Sequence, residues 1–173
     1  MTLKLSNIHF VLLAAGESTR FKARENKLLS KIKDKTILEH NIEQLKKIGF
    51  KKITLVIRNN NILKSIKKTK IELIKGGKTR TLSVKNALLK SKIKAKYVFI
   101  HDAARVLNSE KILKKLIKEI HKNKYDCIIP FSKCADTVIK NHINIKREDL
   151  KLIKTPQVFL KKKIVQLYTI NKN

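Results

Sequence analysis

Short apolar runs alternate along the chain with segments in which apolar residues recur every three or four positions. Residues 8–15 form the first run, which ends at Gly16 and is typical of a strand buried on both faces of a parallel sheet. Similar runs predict further strands at 52–57, 71–74, 97–101 and 127–131. Shorter strand-like pieces follow at 137–140 and 151–153.

The segments between these runs have the periodicity of amphipathic helices. Thr36 and Glu39 have the spacing of a capping box at the start of the first helix, and Gly49 after Ile48 is a natural end for it. Residues 16–35 are predicted to be a long loop. The other helices are predicted at 62–67, 80–90, 109–122 and from about 160.

This alternation of strands and helices predicts a single α/β domain with a mainly parallel sheet. No linker rich in Pro, Gly or Ser divides the chain, and it contains no internal repeat. Sheets of this kind bind ligands at the carboxyl ends of their strands. The loops that follow the strands are therefore where we expect site residues.

The composition is strongly basic, with 42 Lys and Arg against 13 Asp and Glu and a formal charge of +29. One interpretation is a nucleic-acid-binding protein that neutralises phosphates with its cations. The other is an AT-rich genome, since Lys outnumbers Arg by 36 to 6 and much Ile and Asn accompany it. Aromatic residues are few, which disfavours a base-stacking platform and makes nucleic acid the less favoured partner.

Several protein classes do not fit the sequence. No apolar run approaches the ~18 residues of a membrane-spanning helix. The amino terminus also lacks a charged leader followed by a small-residue cleavage site. Cys127 and Cys134 are too few for a disulfide framework or a four-ligand zinc site. We therefore expect a reduced, cytoplasmic protein without a membrane partner.

The loop after the first strand has the composition of a phosphate-binding turn. Residues 14–20 are mostly small and include Gly16, so the backbone can approach a ligand and its N–H groups can hold phosphate. Arg20 and Lys27 are suited to neutralising a triphosphate. The pattern lacks the three glycines of a dinucleotide-binding motif and the Gly-Lys-Ser/Thr of a P-loop. An ordinary turn between strand and helix remains the alternative.

Gly76 and Gly77 follow the third predicted strand. Adjacent glycines admit backbone shapes that side chains forbid. Backbone groups here could then read a base, while Arg80 and Ser83 face the same cleft from the first turn of a helix. A tight turn that binds no ligand is the equal alternative.

Asp102 follows the fourth predicted strand, where a buried carboxylate is costly without a partner. One candidate partner is a divalent cation such as Mg²⁺, which takes carboxylate and phosphate oxygens. The other is Arg105, which would form a loop-closing ion pair. His101 is interpreted as a strand-end histidine with one satisfied hydrogen bond.

Five stretches stand in one order along the chain: LLAAGESTRF (12–21), GGKTRTLSV (76–84), HDAARV (101–106), ADT (135–137) and KTPQVF (154–159). Together they resemble the 2-C-methyl-D-erythritol 4-phosphate cytidylyltransferase family, from residue 8 to about residue 165. The resemblance implies a Rossmann-like three-layer α/β/α fold of the nucleotide-diphospho-sugar transferase type. A mainly parallel sheet is part of that expectation.

The resemblance also implies a chemistry, the transfer of a cytidylyl group from CTP to 2-C-methyl-D-erythritol 4-phosphate. Pyrophosphate is released, and the reaction belongs to non-mevalonate isoprenoid biosynthesis. The residues implied to be catalytic are Arg20, Lys27 and Arg147. Those implied to bind the nucleotide are Ala14, Ala15, Gly16, Ser18, Gly77, Arg80 and Ser83. Those implied to bind the sugar-alcohol phosphate are Arg105, Asp136 and Thr137, and Asp102 is implied to hold Mg²⁺.

The resemblance further implies a homodimer, in which an arm at about 134–153 crosses to the second subunit. Ser18 stands where the family usually has a second glycine, and Asn26 stands before Lys27 where a proline is usual. Family members continue into a last strand that bears another catalytic lysine. Some are fused to 2-C-methyl-D-erythritol 2,4-cyclodiphosphate synthase, and this chain resembles those fused forms. We expect residues 1–173 to be one C-terminally truncated cytidylyltransferase domain that lacks its last strand and helix.

Three other functions remain open. The chain could be a cytidylyltransferase for another polyol phosphate such as ribitol 5-phosphate, and the acceptor-side residues Asp136, Thr137 and Arg147 would decide this. It could instead be a non-catalytic remnant of the family. The third alternative is the basic nucleic-acid-binding protein that the charge suggests.

Overall fold

A computed structural model describes residues 5–16, 26–58, 61–62, 66, 71–106, 110–122 and 124–170. The strands within these residues are β1 (Ile8–Ala14), β2 (Lys31–Ile32), β3 (Lys35–Thr36), β4 (Ile53–Ile57), β5 (Glu72–Lys75), β6 (Tyr97–Asp102), β7 (Cys127–Ile128), β8 (Phe131–Lys133), β9 (Val138–Lys140), β10 (Ile143–Ile145), β11 (Lys151–Ile153) and β12 (Gln157–Leu160). The α-helices are α1 (Ile37–Ile48), α2 (Arg80–Lys90), α3 (Glu110–His121) and α4 (Lys161–Ile170). Short 3-10 turns lie at Leu5–Asn7, Lys27–Leu29 and Arg147–Asp149.

β1 lies inside a six-stranded sheet with the order β5-β4-β1-β6-β12-β7. It pairs in parallel with β4 on one side and with β6 on the other, and β4 pairs in parallel with β5. β12 runs antiparallel to both of its neighbours, β6 and β7. The prediction of an α/β fold with a mainly parallel sheet is therefore confirmed.

Helices cover both faces of this sheet, because successive side chains of a strand point to opposite faces. Phe10 and Leu12 of β1 belong to one buried core with Leu38 of α1 and the apolar side of α3. Val11 belongs to a second core with Val84 of α2 and part of α4. The result is the three-layer α/β/α architecture that the resemblance implies. None of the helices in the described residues has both the length and the apolar character needed to cross a membrane.

The ends of α1 are formed as the sequence predicts. Thr36 Oγ1 accepts a hydrogen bond from the Glu39 amide at 3.2 Å, and Glu39 Oε2 accepts one from the Thr36 amide at 2.8 Å. These bonds favour the charged carboxylate and hold the pKa of Glu39 below its usual range. Gly49 ends the helix with φ 102°, a left-handed conformation that glycine adopts without strain.

One predicted segment differs from the structure, and another lies mostly outside the described residues. The described part of the predicted loop 16–35 contains the 3-10 turn Lys27–Leu29 and the small antiparallel pair β2–β3. Of the helix predicted at 62–67, only residues 62 and 66 lie within the described residues.

The strand predicted at 127–131 is divided into β7 and β8, with Pro130 between them. Proline has no N–H to donate to a ladder, so a strand does not run through it in the middle of a sheet. Cys127 of β7 is exposed, whereas Cys134 is buried. Both cysteines are free thiols.

β12 is a strand that the sequence analysis does not predict. The Thr155–Pro156 peptide bond is cis, and the next four residues enter the central sheet. Val158 is fully buried between β6 and β7, opposite Phe99 and Ile128. Its strand conformation depends on pairing with β6 and β7, which no local sequence pattern shows.

Residues 131–153 form two antiparallel ladders outside the central sheet. β8 pairs with β11, and the hairpin β9–β10 lies between them in the sequence. Asn141 and His142 connect β9 to β10 with φ values of 51° and 63°, as a two-residue hairpin turn requires. The strands predicted at 137–140 and 151–153 are confirmed, and β8 and β10 are their partners. The segment at about 134–153 that the resemblance implies to be an arm lies within these ladders, and from here on we call residues 131–153 the arm.

A chain of hydrogen bonds crosses three strands near the amino ends of the sheet. His9 Nε2 lies 2.7 Å from Thr54 Oγ1, which donates to Glu72 Oε2 at 2.7 Å. Glu72 Oε1 accepts from the Lys92 amide, also at 2.7 Å. Because Thr54 commits its proton to Glu72, His9 Nε2 must be the donor. Burial lowers the pKa of His9 to about 4, so the ring is neutral.

We expect the stability of the protein to fall as the pH is lowered from 6.5 to about 4. In the unfolded chain His9 takes up a proton near pH 6.5, whereas in the folded protein it stays neutral until about pH 4. The free energy of unfolding therefore falls by roughly 3 kcal/mol as the pH is lowered from the pKa of the unfolded chain to that of the folded protein. Above pH 6.5 this contribution is fully present, and below about pH 4 it is lost.

Urea unfolding at several pH values, for the wild type and His9→Gln, measures this contribution. Gln can still donate to Thr54 but does not titrate, so the difference between the two pH dependences isolates His9. Identical pH dependences over this range would contradict the burial of a neutral His9.

Candidate functional site

The carboxyl ends of the four parallel strands meet at one edge of the sheet. Ala14, at the end of β1, is in register with Ile57, which in turn is in register with Lys75. On the other side of β1, Leu13 is in register with Asp102, the last residue of β6. The loops that follow β1, β5 and β6 therefore begin side by side, as expected for a ligand-binding edge.

The loops after β1 and β5 touch each other at Gly76. Its amide donates to the Ile57 carbonyl at 2.7 Å, which extends the parallel ladder by one bond. A Cβ at this position would lie 2.4 Å from the Ala15 Cβ and 3.3 Å from Cγ of Arg58. Only a residue without a side chain fits between these loops, which accounts for the first glycine of the pair.

Gly77 and Ser83 form the turn into α2. The Gly77 amide donates to Ser83 Oγ at 3.1 Å, and Ser83 Oγ donates to the Thr79 carbonyl at 2.9 Å. Ser83 is buried, and a Cβ on Gly77 would lie 2.3 Å from the Leu82 Cβ. In the structure Ser83 shapes the turn from within, whereas its predicted contact with a nucleotide stays a prediction.

Two guanidinium groups lie on the carboxylate of Asp102. Arg80 Nε, from the first turn of α2, donates to Asp102 Oδ1 at 3.0 Å, and Arg105 Nε lies 3.5 Å from Asp102 Oδ2. About half of each arginine side chain is exposed. Ion pairs this exposed contribute only ~0–1 kcal/mol to stability, so their placement is not explained by folding. We call these three residues the Arg80–Asp102–Arg105 cluster.

The turn that carries Arg105 is hydrogen-bonded to α1 and to β1. Asn41 of α1 is fully buried, and its Nδ2 donates to the Ala103 carbonyl at 2.7 Å and to the Arg105 carbonyl at 3.2 Å. The Ala103 amide donates to the Leu13 carbonyl of β1 at 3.0 Å. The backbone of the cluster is thus tied both to α1 and to β1.

His101 and Thr155 contact each other and the backbone of the cluster. His101 Nε2 is 2.8 Å from the Arg105 carbonyl, and His101 Nδ1 is 2.8 Å from Thr155 Oγ1. Burial is the main reason that the pKa of His101 is lowered, which favours the neutral ring. Sequence reasoning assigned no role to Asn41, and it used Thr155 only as part of the stretch 154–159 that carries the family resemblance.

The other residues predicted at the nucleotide side are only partly described. Ser18 and Arg20 lie outside the described residues. Lys27 is exposed in a 3-10 turn, and the preceding Asn26 donates from Nδ2 to the Gly16 carbonyl at 3.5 Å. Lys27 therefore belongs to a segment that contacts the loop after β1, and its catalytic role stays a prediction.

Arg105, which is predicted at the acceptor side, lies in the cluster, whereas the other residues predicted there lie on the arm. Asp136, Thr137 and Arg147 are exposed, and Arg147 Nη1 donates to the Ala135 carbonyl at 3.5 Å. Within the part of the chain that the structure describes, none of their hydrogen bonds or ion pairs reaches Asp102. The predicted role of these arm residues at the acceptor side stays a prediction.

The chain is similar to the proteins of one known family. The profile of the family described as IspD, 2-C-methyl-D-erythritol 4-phosphate cytidylyltransferase, matches residues 8–173. The chain belongs to this family. A relative named bifunctional enzyme IspD/IspF, from Pelagibacter ubique, is 43% identical in an alignment 169 residues long that covers 93% of this chain and 45% of the relative.

Solved structures show the same relationship. The bifunctional IspDF from Campylobacter jejuni matches with a TM-score of 0.84 and 34% identity, over 96% of this chain and 44% of that one. The 2-C-methyl-D-erythritol 4-phosphate cytidylyltransferase of Francisella tularensis matches with a TM-score of 0.77 and 26% identity, over 95% of this chain and 77% of that one. The chain thus spans less than half the length of the bifunctional relatives.

The carboxylate of Asp102 fits the magnesium expected for the cytidylyltransferase family only when a substrate supplies further ligands. Among the described residues, no group of three or more His, Cys, Asp or Glu side chains could hold a metal ion. Magnesium is often bound by one or two carboxylates together with substrate phosphates and water. Asp102 is the carboxylate of the cluster and is partly exposed, so it fits such a site when phosphate oxygens supply further ligands.

We expect Gly76→Ala to destabilise this IspD-family protein by ~1–3 kcal/mol, the usual cost of overpacking. The new methyl group would collide with Ala15. Gly16→Ala is the matched control, because no described atom lies within 4 Å of a Cβ at Gly16. Thermal unfolding of both variants measures the effect. Equal melting temperatures for the two variants would show that the loops after β1 and β5 are not in close contact.

Proposed function

We propose that the chain transfers a cytidylyl group from CTP to 2-C-methyl-D-erythritol 4-phosphate. An oxygen of the acceptor phosphate attacks the α-phosphorus of CTP, and the bond from that phosphorus to the bridging oxygen of the β-phosphate breaks. Pyrophosphate leaves with the electron pair of that bond. Membership of the cytidylyltransferase family supports this reaction, and the Arg80–Asp102–Arg105 cluster is the observation that carries it.

The cluster supports the proposal because this reaction brings two anionic substrates together. Phosphoryl-type transfer depends mainly on positioning and on neutralising charge, and it needs little covalent chemistry from the protein. Arg80 and Arg105 present two fixed charges on either side of one carboxylate. Arg is suited to bidentate contacts with phosphate, so we assign Arg105 to the acceptor and Arg80 to the nucleotide.

Main-chain groups next to the cluster support a nucleotide pocket. The backbone of Ala14, Ala15 and Gly16 leaves the end of β1 between the glycine pair and Asp102. Gly16 is exposed, so a phosphate can approach its amide closely. We assign Gly77 to the base side of the same pocket.

Magnesium is part of the proposal. Asp102 would hold the ion together with phosphate oxygens of CTP, where the ion would neutralise charge that develops on the triphosphate. We also propose that the protein works in the cytoplasm, which is consistent with its two free cysteines.

We propose a homodimer in which the arm completes the acceptor side of the partner's site. The arm carries Asp136, Thr137 and Arg147, none of which is bonded to the cluster of its own chain within the described residues. It also exposes large apolar side chains that a subunit interface would cover. They are Phe131, Ile139, Ile143, Leu152 and Ile153.

The first prediction of this proposal concerns Asp102. We expect Asp102→Asn to reduce magnesium-dependent release of pyrophosphate by at least ~100-fold, because the variant loses the charge that orients both arginines and binds the metal. Pyrophosphate release from CTP in the presence of 2-C-methyl-D-erythritol 4-phosphate measures it. Asp126→Asn is the control, since Asp126 is exposed and pairs with Lys163 at the far edge of the sheet. Undiminished release by Asp102→Asn would contradict the assignment.

The second prediction concerns the arm. We expect the wild type to sediment as a dimer and Ile139→Glu to shift it toward monomer, because the substitution would bury an unpaired charge in the interface. Ile170→Glu on α4 is a matched control, since Ile139 and Ile170 are both 67% exposed. Sedimentation velocity distinguishes the variants. A monomeric wild type, or equal dissociation by both substitutions, would contradict an interface formed by the arm.

A further inference from the structure

His101 is bonded at both ring nitrogens and buried at the base of the proposed site. Only 1% of its surface is exposed. Nε2 lies 2.8 Å from the carbonyl oxygen of Arg105, and Nδ1 lies 2.8 Å from Thr155 Oγ1. The ring therefore bridges two segments that are fifty residues apart in the chain, from 105 to 155.

These two contacts determine where the protons lie. A carbonyl oxygen can only accept, so the proton of the neutral ring must be on Nε2. Nδ1 is then an acceptor, and the hydroxyl of Thr155 must donate to it. With its own proton committed, Thr155 Oγ1 can only accept on its other side, where the Asp102 amide approaches at 3.5 Å. One tautomer thus orders the ring, the hydroxyl and the backbone on either side.

The carbonyl of Arg105 is the point where two buried side chains converge. It accepts from His101 on β6 and also from Asn41 on α1. Loss of either bond would let the turn 103–105 move relative to β6, and the guanidinium of Arg105 would move with it. The segment before β12, in contrast, is tied to Asp102 through Thr155 and His101.

The two buried histidines of the sheet, His9 and His101, differ in the segments that they bond. His9 lies near the amino ends of the strands, and its Nδ1 has no partner among the described residues. His101 lies at the carboxyl end of β6, and both of its bonds go to segments that carry or adjoin the cluster.

We propose that His101 is a positioning residue for cytidylyl transfer, whose Nε2–H tautomer holds the Arg105 turn and the Thr155 segment in one arrangement. The inference rests on the function proposed above and concerns the same site. His101 acts through these segments and does not itself touch the substrate.

Two substitutions separate the two bonds. Gln at 101 can donate from the position of Nε2 but offers Thr155 no acceptor, whereas Asn can accept near the position of Nδ1 but does not reach the Arg105 carbonyl. We expect each to lower kcat by ~10- to 100-fold, the usual cost of small misplacements in an active site. The KM for CTP should stay close to the wild-type value, because no bond of His101 reaches the loops at Ala15 or Gly76.

A double-mutant cycle tests the connection to Thr155. Thr155→Val removes the hydroxyl but keeps the shape of the side chain, so it should lower kcat in the wild type and add little to His101→Gln. Thr155→Ser should retain most of the activity. Additive losses in His101→Gln/Thr155→Val would overturn the coupling. His40→Gln is the matched control, since His40 Nε2 also bonds a carbonyl, that of Ile32, outside the site.

The tautomer itself is measured without any activity assay. Long-range ¹H–¹⁵N correlation of the ¹⁵N-labelled wild-type protein at neutral pH, with His101→Gln for assignment, shows which ring nitrogen of His101 carries the proton. We expect Nε2–H as a single species. An Nδ1–H tautomer or a mixture would overturn the proposal even in an active enzyme. An inactive wild type with the Nε2–H tautomer would instead overturn the proposed function.

Discussion

The parallel pairing of β1 with β4 on one side and β6 on the other is the constraint on which the rest of the structure depends. Every described residue of β1 except Leu13 is almost fully buried, so the strand can form only when helices cover both faces. Because parallel strands end at the same edge, this pairing sets the loops after β1 and β6 beside each other. The contact of the β5 loop with Ala15 then adds the start of α2 to the same edge. The location of the proposed site is therefore a consequence of the strand order.

Only a few of the cations that give the chain its charge of +29 lie at the proposed site. Two of the six arginines, Arg80 and Arg105, lie on one carboxylate at the carboxyl edge of the sheet. The carboxylate of Asp102 contacts both guanidinium groups and so keeps these like charges close together. Most lysines of the described helices, in contrast, are exposed, as expected for a composition set by the genome. The proposed function needs the position of a few cations and not the total charge.

Sequence reasoning succeeded where the determining interaction is local. The capping box joins Thr36 to Glu39, and the amide of Gly49 bonds the carbonyls of Leu45 and Lys46. Each of these two features spans about one helical turn, and both are formed as predicted. It failed where the determining contact is distant. β12 becomes a strand because β6 and β7 accept it, and Thr155 reaches the site only through His101. The five motifs located the edge of the sheet, whereas the bonds that connect them required the fold.

The insertion of β12 between β6 and β7 also determines the order in which the protein can be assembled. Chains fold as they emerge from the ribosome, with amino-terminal parts available first. β1, β4, β5 and β6 are all available once residue 102 has emerged, and their parallel core can begin to form. The second partner strand of β6, however, is β12, which is made of residues 157–160. Until that strand has been synthesised, one side of β6 is an unpaired edge and the bond between His101 and Thr155 cannot exist. Synthesis thus delivers the parallel scaffold early and the finished site late.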